Sequence, residues 1–333
     1  MGHIHLARDA DLVIVAPATA DLLARLACGQ ADDLLTALLL ARRGPTLLAP
    51  AMNPLMWQHP ATQRNVARLQ EDGLLLVEPE QGAMACGDHG VGRLATTATL
   101  LEVGRRALTP ARWQGRRLLV TAGPTYEPLD PVRYLGNRSS GKMGWAIALA
   151  AARLGADVRL IHGPVALEAP YGVATIAVER AEEMYRAAID CWPDCDAAVL
   201  SAAVADFRPQ VYQTEKIKKS KEVPGHPITL PLEQTTDILS ALVAQRRAGQ
   251  LVVGFAAETT DVEQQGWDKL QRKGCDLLAV NDVTATGCGF MVDTNQILLL
   301  GQGGQRQQWP LLTKEETAER LIMAIEQLWQ EKS

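Results

Sequence analysis

The residues best placed to do chemistry lie in one stretch, Gly136-Asn137-Arg-Ser-Ser-Gly141-Lys142-Met143-Gly144. An apolar, strand-like run from Leu118 to Gly123 comes before it, and an apolar, helix-like run from Met143 to Leu154 follows. A loop that leaves the carboxyl end of a strand and enters a helix N-terminus binds anions in open α/β sheets, because unpaired N–H groups and the helix dipole both favour negative charge. The order Gly136, four residues, Gly141, Lys142 nearly matches a phosphate loop, but Met143 stands where Ser or Thr would hold magnesium. The stretch therefore reads as a different strand–loop–helix anion site, suited to a phosphorylated substrate or a nucleotide.

Further polar groups follow other strand-like runs. Asp206, after Val199-Leu-Ser-Ala-Ala, either orients a nucleotide, holds a cation or caps a turn. The run Glu215-Lys216-Ile-Lys218-Lys219-Ser-Lys221 is either a solvated loop or a lysine-bearing flap that closes on phosphates or on an acyl-phosphate-type transition state. Phe255 ends a strand and either packs on a nucleobase or fills core. Lys269 and Lys273 are one helical turn apart, facing a triphosphate or solvent. Nearer the start, Asn53-Pro is a turn signal whose amide could equally grip a carboxylate. Cys86 sits in Ala85-Cys-Gly-Asp88-His-Gly90, a loop in which a thiol can react, although an inert thiol fits as well. His3 and His5 carry no assignment from their local sequence.

Two α/β units must position these groups. The first, residues 1–108, shows strand patterns at Asp11–Pro17 and Thr46–Pro50 and helix patterns at Asp21–Cys28 and Asp32–Arg42. It is short for a parallel α/β domain, and the expectation is an incomplete unit. Thr109–Arg117, with Pro, Gly and clustered Arg, reads as a linker. The second unit, 115–333, offers strands at Leu118–Ala122, Asp157–Ile161, Ala174–Val178, Ala197–Ala202, Leu251–Phe255, Leu277–Val280 and Ile297–Leu300. Helix patterns fall at Lys142–Leu154, Glu182–Cys191, Asp237–Arg247, Val262–Lys273 and Lys314–Glu331. That alternation predicts a doubly wound, Rossmann-like parallel sheet. The dinucleotide fingerprint G-x-G-x-x-G is missing, which argues against a nicotinamide cofactor.

Composition narrows the class. A net charge of −5 argues against nucleic acid as partner. No apolar run approaches bilayer length and no signal peptide opens the chain, so the expected location is the cytoplasm. The six cysteines include no C-x-x-C pair, which leaves no zinc pattern.

Read together, the motifs resemble the bifunctional coenzyme A biosynthesis family, a phosphopantothenoylcysteine decarboxylase fused to a phosphopantothenate–cysteine ligase. They are Gly2-His-Ile, Ala16-Pro-Ala-Thr-Ala-Asp21, Pro50-Ala-Met-Asn53-x-x-Met56, Ala85-Cys-Gly-Asp88, Asp130-Pro-Val-Arg133, Asn137-x-Ser-Ser-Gly-Lys-Met-Gly144, Ala202-Ala-Val-Ala-Asp206, Glu215-Lys-Ile-Lys-Lys219 and Gly254-Phe-Ala-Ala-Glu-Thr259. Each is weak alone; in this order they are specific.

The resemblance implies a CTP- and Mg2+-dependent ligase that activates the carboxylate of 4′-phosphopantothenate as an acyl-cytidylate, which the amine of L-cysteine then attacks. It assigns Asn137 to the acyl-cytidylate and Lys216 to charge developing during activation. Arg133, Gly141 and Lys142 would bind substrate. Ser201, Ala202, Asp206, Thr236, Asp237, Ile238, Phe255, Lys269 and Lys273 would line the CTP site together with Lys216. The family's Asn-Pro-Asp before the CTP-site helix reads Thr235-Thr236-Asp237 here. For the first unit the resemblance implies a truncated flavodoxin-like or Rossmann-like flavoprotein domain, an FMN-dependent decarboxylase with His3 and Cys86 catalytic, Met52 and Asn53 on the substrate, and Pro17, Ala18 and Thr19 on FMN. The family's glycine-bearing first strand–loop–helix has no counterpart, so an incomplete FMN site is expected. Homo-oligomers are implied: a ligase dimer, and a higher assembly through the first unit. The competing reading is a regulatory or oligomerising flavoprotein-like binding subunit.

Overall fold

The computed structural model describes residues 2–83, 87–218, 229–282, 287, 289 and 292–332, with backbone alone for Gly2 and His3. It forms two compact units, Met1–Pro110 and Ala111–Ser333.

In the first unit, helix α1 (Gly2–Asp9) leads into strand β1 (Val13–Ala18), α2 (Ala20–Ala27), α3 (Leu34–Leu40) and β2 (Thr46–Pro50). Helices α4 (Pro54–Gln58) and α5 (Pro60–Glu71), strand β3 (Leu75–Leu76), a hairpin of β4 (Glu80–Ala83) and β5 (His89–Arg93), and α6 (Thr97–Leu108) complete it. Strands β1, β2 and β3 pair in that order, all parallel. β2 is buried along its whole length, as its Leu-Leu-Ala centre requires. β1 alternates and stays half exposed, although its sequence reads as a buried strand. Helix α3 starts at a reciprocal cap in which Asp33 accepts from the Thr36 N–H at 2.8 Å. Arg42 ties the C-terminal end of α1 to this unit, donating to the carbonyls of Ala7 (3.0 Å), Ala10 (2.8 Å) and Asp11 (2.9 Å).

The second unit starts earlier than the linker pattern suggests. Trp113 is 1% exposed and packs edge-on against Trp329, with ring centroids 4.8 Å apart. Its elements in order are β6 (Arg117–Ala122), β7 (Tyr126–Pro128), β8 (Tyr134–Gly136), α7 (Lys142–Arg153), β9 (Asp157–His162), β10 (Ala174–Ala177) and α8 (Ala181–Cys191). Next come β11 (Ala197–Leu200), β12 (Phe207–Pro209), β13 (Leu232–Gln234), α9 (Ile238–Ala244), β14 (Leu251–Glu258), α10 (Val262–Lys273) and β15 (Leu277–Asp282). The unit ends with β16 (Thr294–Asn295), β17 (Ile297–Gly301), β18 (Gln305–Gln308), β19 (Leu312–Thr313) and α11 (Lys314–Lys332).

Among the described residues the main sheet runs β10-β9-β6-β11-β14-β15-β17-β18. The first six strands are parallel, the doubly wound order that the sequence pattern predicts. β17 and β18 are antiparallel additions, a difference from the all-parallel expectation. Helices α7 and α11 cover one face and α8, α9 and α10 the other, each over its own apolar core. The chain reverses direction across the sheet between β6 and β11, and such a switch point opens a crevice at the carboxyl ends of the strands.

Candidate functional site

A cleft of about 820 Å³ lies at that switch point. Its floor is Thr121 at the end of β6, Leu200–Ala202 at the end of β11 and Phe255–Ala257 in β14. The mouth of α7 forms one wall. Gly141 caps that helix at φ 76°, a conformation glycine adopts at no steric cost, and no side chain caps the first turn. A Cβ on Gly144 would lie 2.3 Å from the Ala122 Cβ and 2.9 Å from the Ser201 Oγ, so a glycine lets α7 seat directly on β6 and β11.

The cleft brings together most of the groups singled out in the sequence. Asn137, Gly141, Lys142, Ser201, Ala202, Asp206, Thr236, Asp237, Ile238, Phe255, Lys269 and Lys273 all line it. The Asn137 Nδ2 donates to the Val204 carbonyl at 2.8 Å, which fixes the amide over the β11 loop. Asp237 caps α9, accepting from the Ser240 N–H at 3.1 Å and the Ser240 hydroxyl at 2.7 Å, and it also accepts from Lys273. Burial pushes the Asp237 carboxyl up, but the Lys273 and Ser240 hydrogen bonds outweigh it, and the net shift is downward. Lys269 pairs with Glu258 at 3.4 Å. Phe255 is half buried and packs on the α7 side of the core while reaching the cleft.

Arg133 and Lys216 are not among the lining groups. Lys216 is exposed on a loop that the hairpin β7–β8 holds in place. The Asp130 carboxylate, 2% exposed, accepts from the N–H groups of Val132 (2.8 Å), Arg133 (2.8 Å) and Ile217 (3.0 Å). Arg133 pairs with Asp130 at 3.2 Å and donates to the Ile217 carbonyl at 3.1 Å. Arg133 therefore sits where it anchors the neighbour of Lys216. Lys219 and Lys221 of the lysine run lie outside the described residues.

Three lining groups have no signal in the local sequence: Asn281 at the end of β15, Asn295 in β16, and Lys314 at the start of α11. The antiparallel return of the chain puts them there. Asn281 faces Ile297 across the β15–β17 ladder, and Asn295 faces Leu312 across β16–β19.

In the first unit, Asn53 caps α4, accepting from the Leu55 N–H at 2.9 Å, and its Nδ2 donates to Asp88. Met52 N–H donates to the Gly92 carbonyl at 3.0 Å. The segment Met52-Asn53 is thereby joined to Asp88 and to Gly92 of β5. Cys86 itself and the His3 side chain lie outside the described residues. Pro17 follows a cis peptide, Ala18 is fully buried, and the Thr19 hydroxyl caps α2 at 3.2 Å from the Leu22 N–H. Asp21 in the first turn of α2 makes that terminus a poor phosphate cradle. Among the described residues no cluster of three His, Cys, Asp or Glu side chains could hold a metal ion. No helix among them is long and apolar enough to cross a membrane.

Residues 113–328 match the family model of the DNA/pantothenate metabolism flavoprotein C-terminal domain, and residues 1–108 match the flavoprotein family model. The coenzyme A biosynthesis bifunctional protein of Mycobacterium tuberculosis is 48% identical over 338 residues, covering 97% of this chain and 80% of that protein. Its Bacillus subtilis counterpart is 42% identical over 329 residues, covering 98% and 80%. A solved C-terminal domain of a coenzyme A biosynthesis bifunctional protein superposes with a TM-score of 0.56 at 39% identity, covering 66% of this chain and 97% of that one. The DNA/pantothenate metabolism flavoprotein of Streptococcus pneumoniae shares the fold, at a TM-score of 0.53 and 24% identity, covering 64% and 99%.

Proposed function

Because the chain belongs to the family of bifunctional coenzyme A biosynthesis proteins, we propose that its second unit joins L-cysteine to 4′-phosphopantothenate at the expense of CTP. A carboxylate does not form an amide at neutral pH until one oxygen becomes a leaving group. Attack of that carboxylate on the α-phosphorus of CTP forms an acyl-cytidylate and releases pyrophosphate. The cysteine amine then displaces CMP and sheds a proton. The observation that carries the reading is one cleft holding an uncapped helix N-terminus, the fixed Asn137 amide, Phe255 and two lysines.

In this reading the α7 mouth, Ser201 and Ala202 meet phosphate or carboxylate oxygens. Phe255 and Ile238 flank the nucleoside, and Asp206, Thr236, Asp237, Lys269 and Lys273 surround the remainder of CTP. The Lys273–Asp237 and Lys269–Glu258 pairs hold both ammonium groups in place. Mg2+ would enter with the triphosphate and neutralise its charge. Lys216, presented by its anchored loop, would meet charge developing during activation.

In the first unit, Pro17, Ala18 and Thr19, beside Met52 and Asn53, would hold the ring and ribityl part of FMN. FMN, when bound, supplies the redox centre for decarboxylating the ligase product to 4′-phosphopantetheine. Asn53 would hold the departing carboxylate, and His3 and Cys86 would move protons. Homo-oligomerisation is supported in the second unit by the exposed apolar side chains Val132, Tyr134, Phe207 and Leu232 on its two-stranded β7–β8 and β12–β13 sheets.

The test is CMP release from the purified chain given CTP, 4′-phosphopantothenate and L-cysteine, with all three required. If neither CTP nor ATP supports turnover, the reading is wrong.

A further inference from the structure

One corner of the cleft is built for something other than a phosphate. The Asn281 Oδ1 and Asn295 Oδ1 are buried and accept no hydrogen bond from the described residues. Asn295 is 4% exposed, and both asparagines line the cleft. An unpaired buried carbonyl oxygen is costly, of order 1–3 kcal/mol, unless something donates to it. Phosphate oxygens only accept, so they cannot satisfy these two groups. The ligand that belongs here must bring N–H or O–H donors.

The same corner carries positive charge. Lys142 pairs with Asp293 at 2.5 Å. Lys314, 7% exposed, opens α11 and donates to the Val292 carbonyl. Its backbone N–H donates to the Asp293 carbonyl at 2.9 Å, which sets it beside that pair. Burial and the nearby Lys142 both press the Lys314 ammonium down from its ordinary value, and Asp293 opposes them. One carboxylate shared between two lysines leaves an excess of cation. Donor-seeking amides next to acceptor-seeking ammonium groups describe the complement of an amino acid. Met143 adds a third element: the Asn295 Nδ2 lies 3.2 Å from its Sδ. A polarizable thioether stands there in place of the hydroxyl of a phosphate loop, a surface suited to a thiol.

We propose that this corner is the amino-acid subsite, taking L-cysteine with its amine on the Asn281 and Asn295 carbonyl oxygens, its carboxylate on Lys142 and Lys314, and its thiol against Met143. The assignment rests on the ligase reading for the identity of the amino acid, not for its chemical class. Neutral amides suit a nucleophilic amine. They accept its N–H groups without the negative charge that would hold a third proton on the nitrogen, so the lone pair stays available for the acyl carbon.

The experiment uses the whole chain and the variants Asn295→Leu and Lys314→Met. Steady-state assays should show KM for L-cysteine rising roughly ten- to hundredfold in each. KM for CTP and pyrophosphate release without cysteine should stay near wild type. Cysteamine, which lacks the carboxylate, should be a poor co-substrate for wild type, and the preference for cysteine over it should shrink in Lys314→Met. Ligand-observed NMR with L-cysteine supplies a readout independent of turnover, with saturation transfer seen for wild type and lost in both variants. A wild-type chain that binds L-cysteine in this way yet consumes no CTP would sink the ligase reading and leave the subsite standing. Should KM for CTP move while that for cysteine holds, or should neither variant alter cysteine binding, the subsite is misassigned.

Discussion

In the proposed ligase reaction Asn137 and Lys216 would act at different moments, and their substitutions should then separate the two half-reactions. Asn137→Asp keeps the size of the side chain but sets a carboxylate 2.8 Å from the Val204 carbonyl and beside an anionic intermediate. At an effective dielectric of about 20, a like-charge contact near 4 Å costs about 4 kcal/mol, so amide formation should slow by a hundredfold to a thousandfold. Lys216 is exposed, so Lys216→Gln should leave the fold alone and instead suppress pyrophosphate release in single-turnover assays without cysteine. Near-wild-type rates in both variants would move the chemistry to another part of the molecule. Asn137 is legible in the sequence because it stands inside a glycine-bearing loop before a helix. Asn295 and Lys314 are not, because a single amide in a two-residue strand and a lysine at a helix start carry no periodicity or spacing of their own.

The hairpin β7–β8 shows what an element adds to such residues. Its Asp130 collects three backbone N–H groups and the Arg133 guanidinium, and so pins the loop that presents Lys216. Burial raises the Asp130 carboxyl, but these partners outweigh it and the net shift is downward. A carboxyl lowered by folding stabilises the folded arrangement above its unfolded pKa, about 3.9, and that contribution disappears as pH falls through the lower folded value. Hydrogen exchange at the Ile217 amide, corrected for intrinsic rate, should therefore show protection held above about pH 4 and lost below it. Asp130→Asn should lower kcat in the wild-type background and add little on top of Lys216→Gln. Fully additive losses would mean that Asp130 does not act through that lysine. The strands and helices of the parallel half follow their apolar patterns closely; α10 spans Val262–Lys273, as its pattern predicts. The turn-back into β17 and β18 was hidden, since a buried Ile-Leu-Leu-Leu run reads the same in either direction.

For the molecule, the division at Pro110 and Ala111 has a direct consequence. The second unit has both faces of its sheet covered by its own helices, and Trp113 belongs to its core. A segment of residues 111–333 should fold alone and release CMP at a rate within a few-fold of the whole chain. A start after Trp113 should be markedly less stable, since removing a buried Trp side chain costs roughly 3–5 kcal/mol. Thermal melts of the two segments, with CMP assays alongside, decide the point. Loss of ligase turnover in the longer segment would mean that the first unit contributes to the second unit's chemistry.

The packing of α11 against α7 also has a temporal side. Lys142 and its partner Asp293 are 151 residues apart, and Lys314 comes later still. At ribosomal speeds of about 5–20 residues per second, roughly ten to thirty seconds pass between making the first wall of the cleft and making its last. Through that interval α7 lacks the helix that shares its apolar core. A chain released before α11 is made would therefore carry an uncovered apolar surface, so truncation ahead of Lys314 should give an aggregation-prone product.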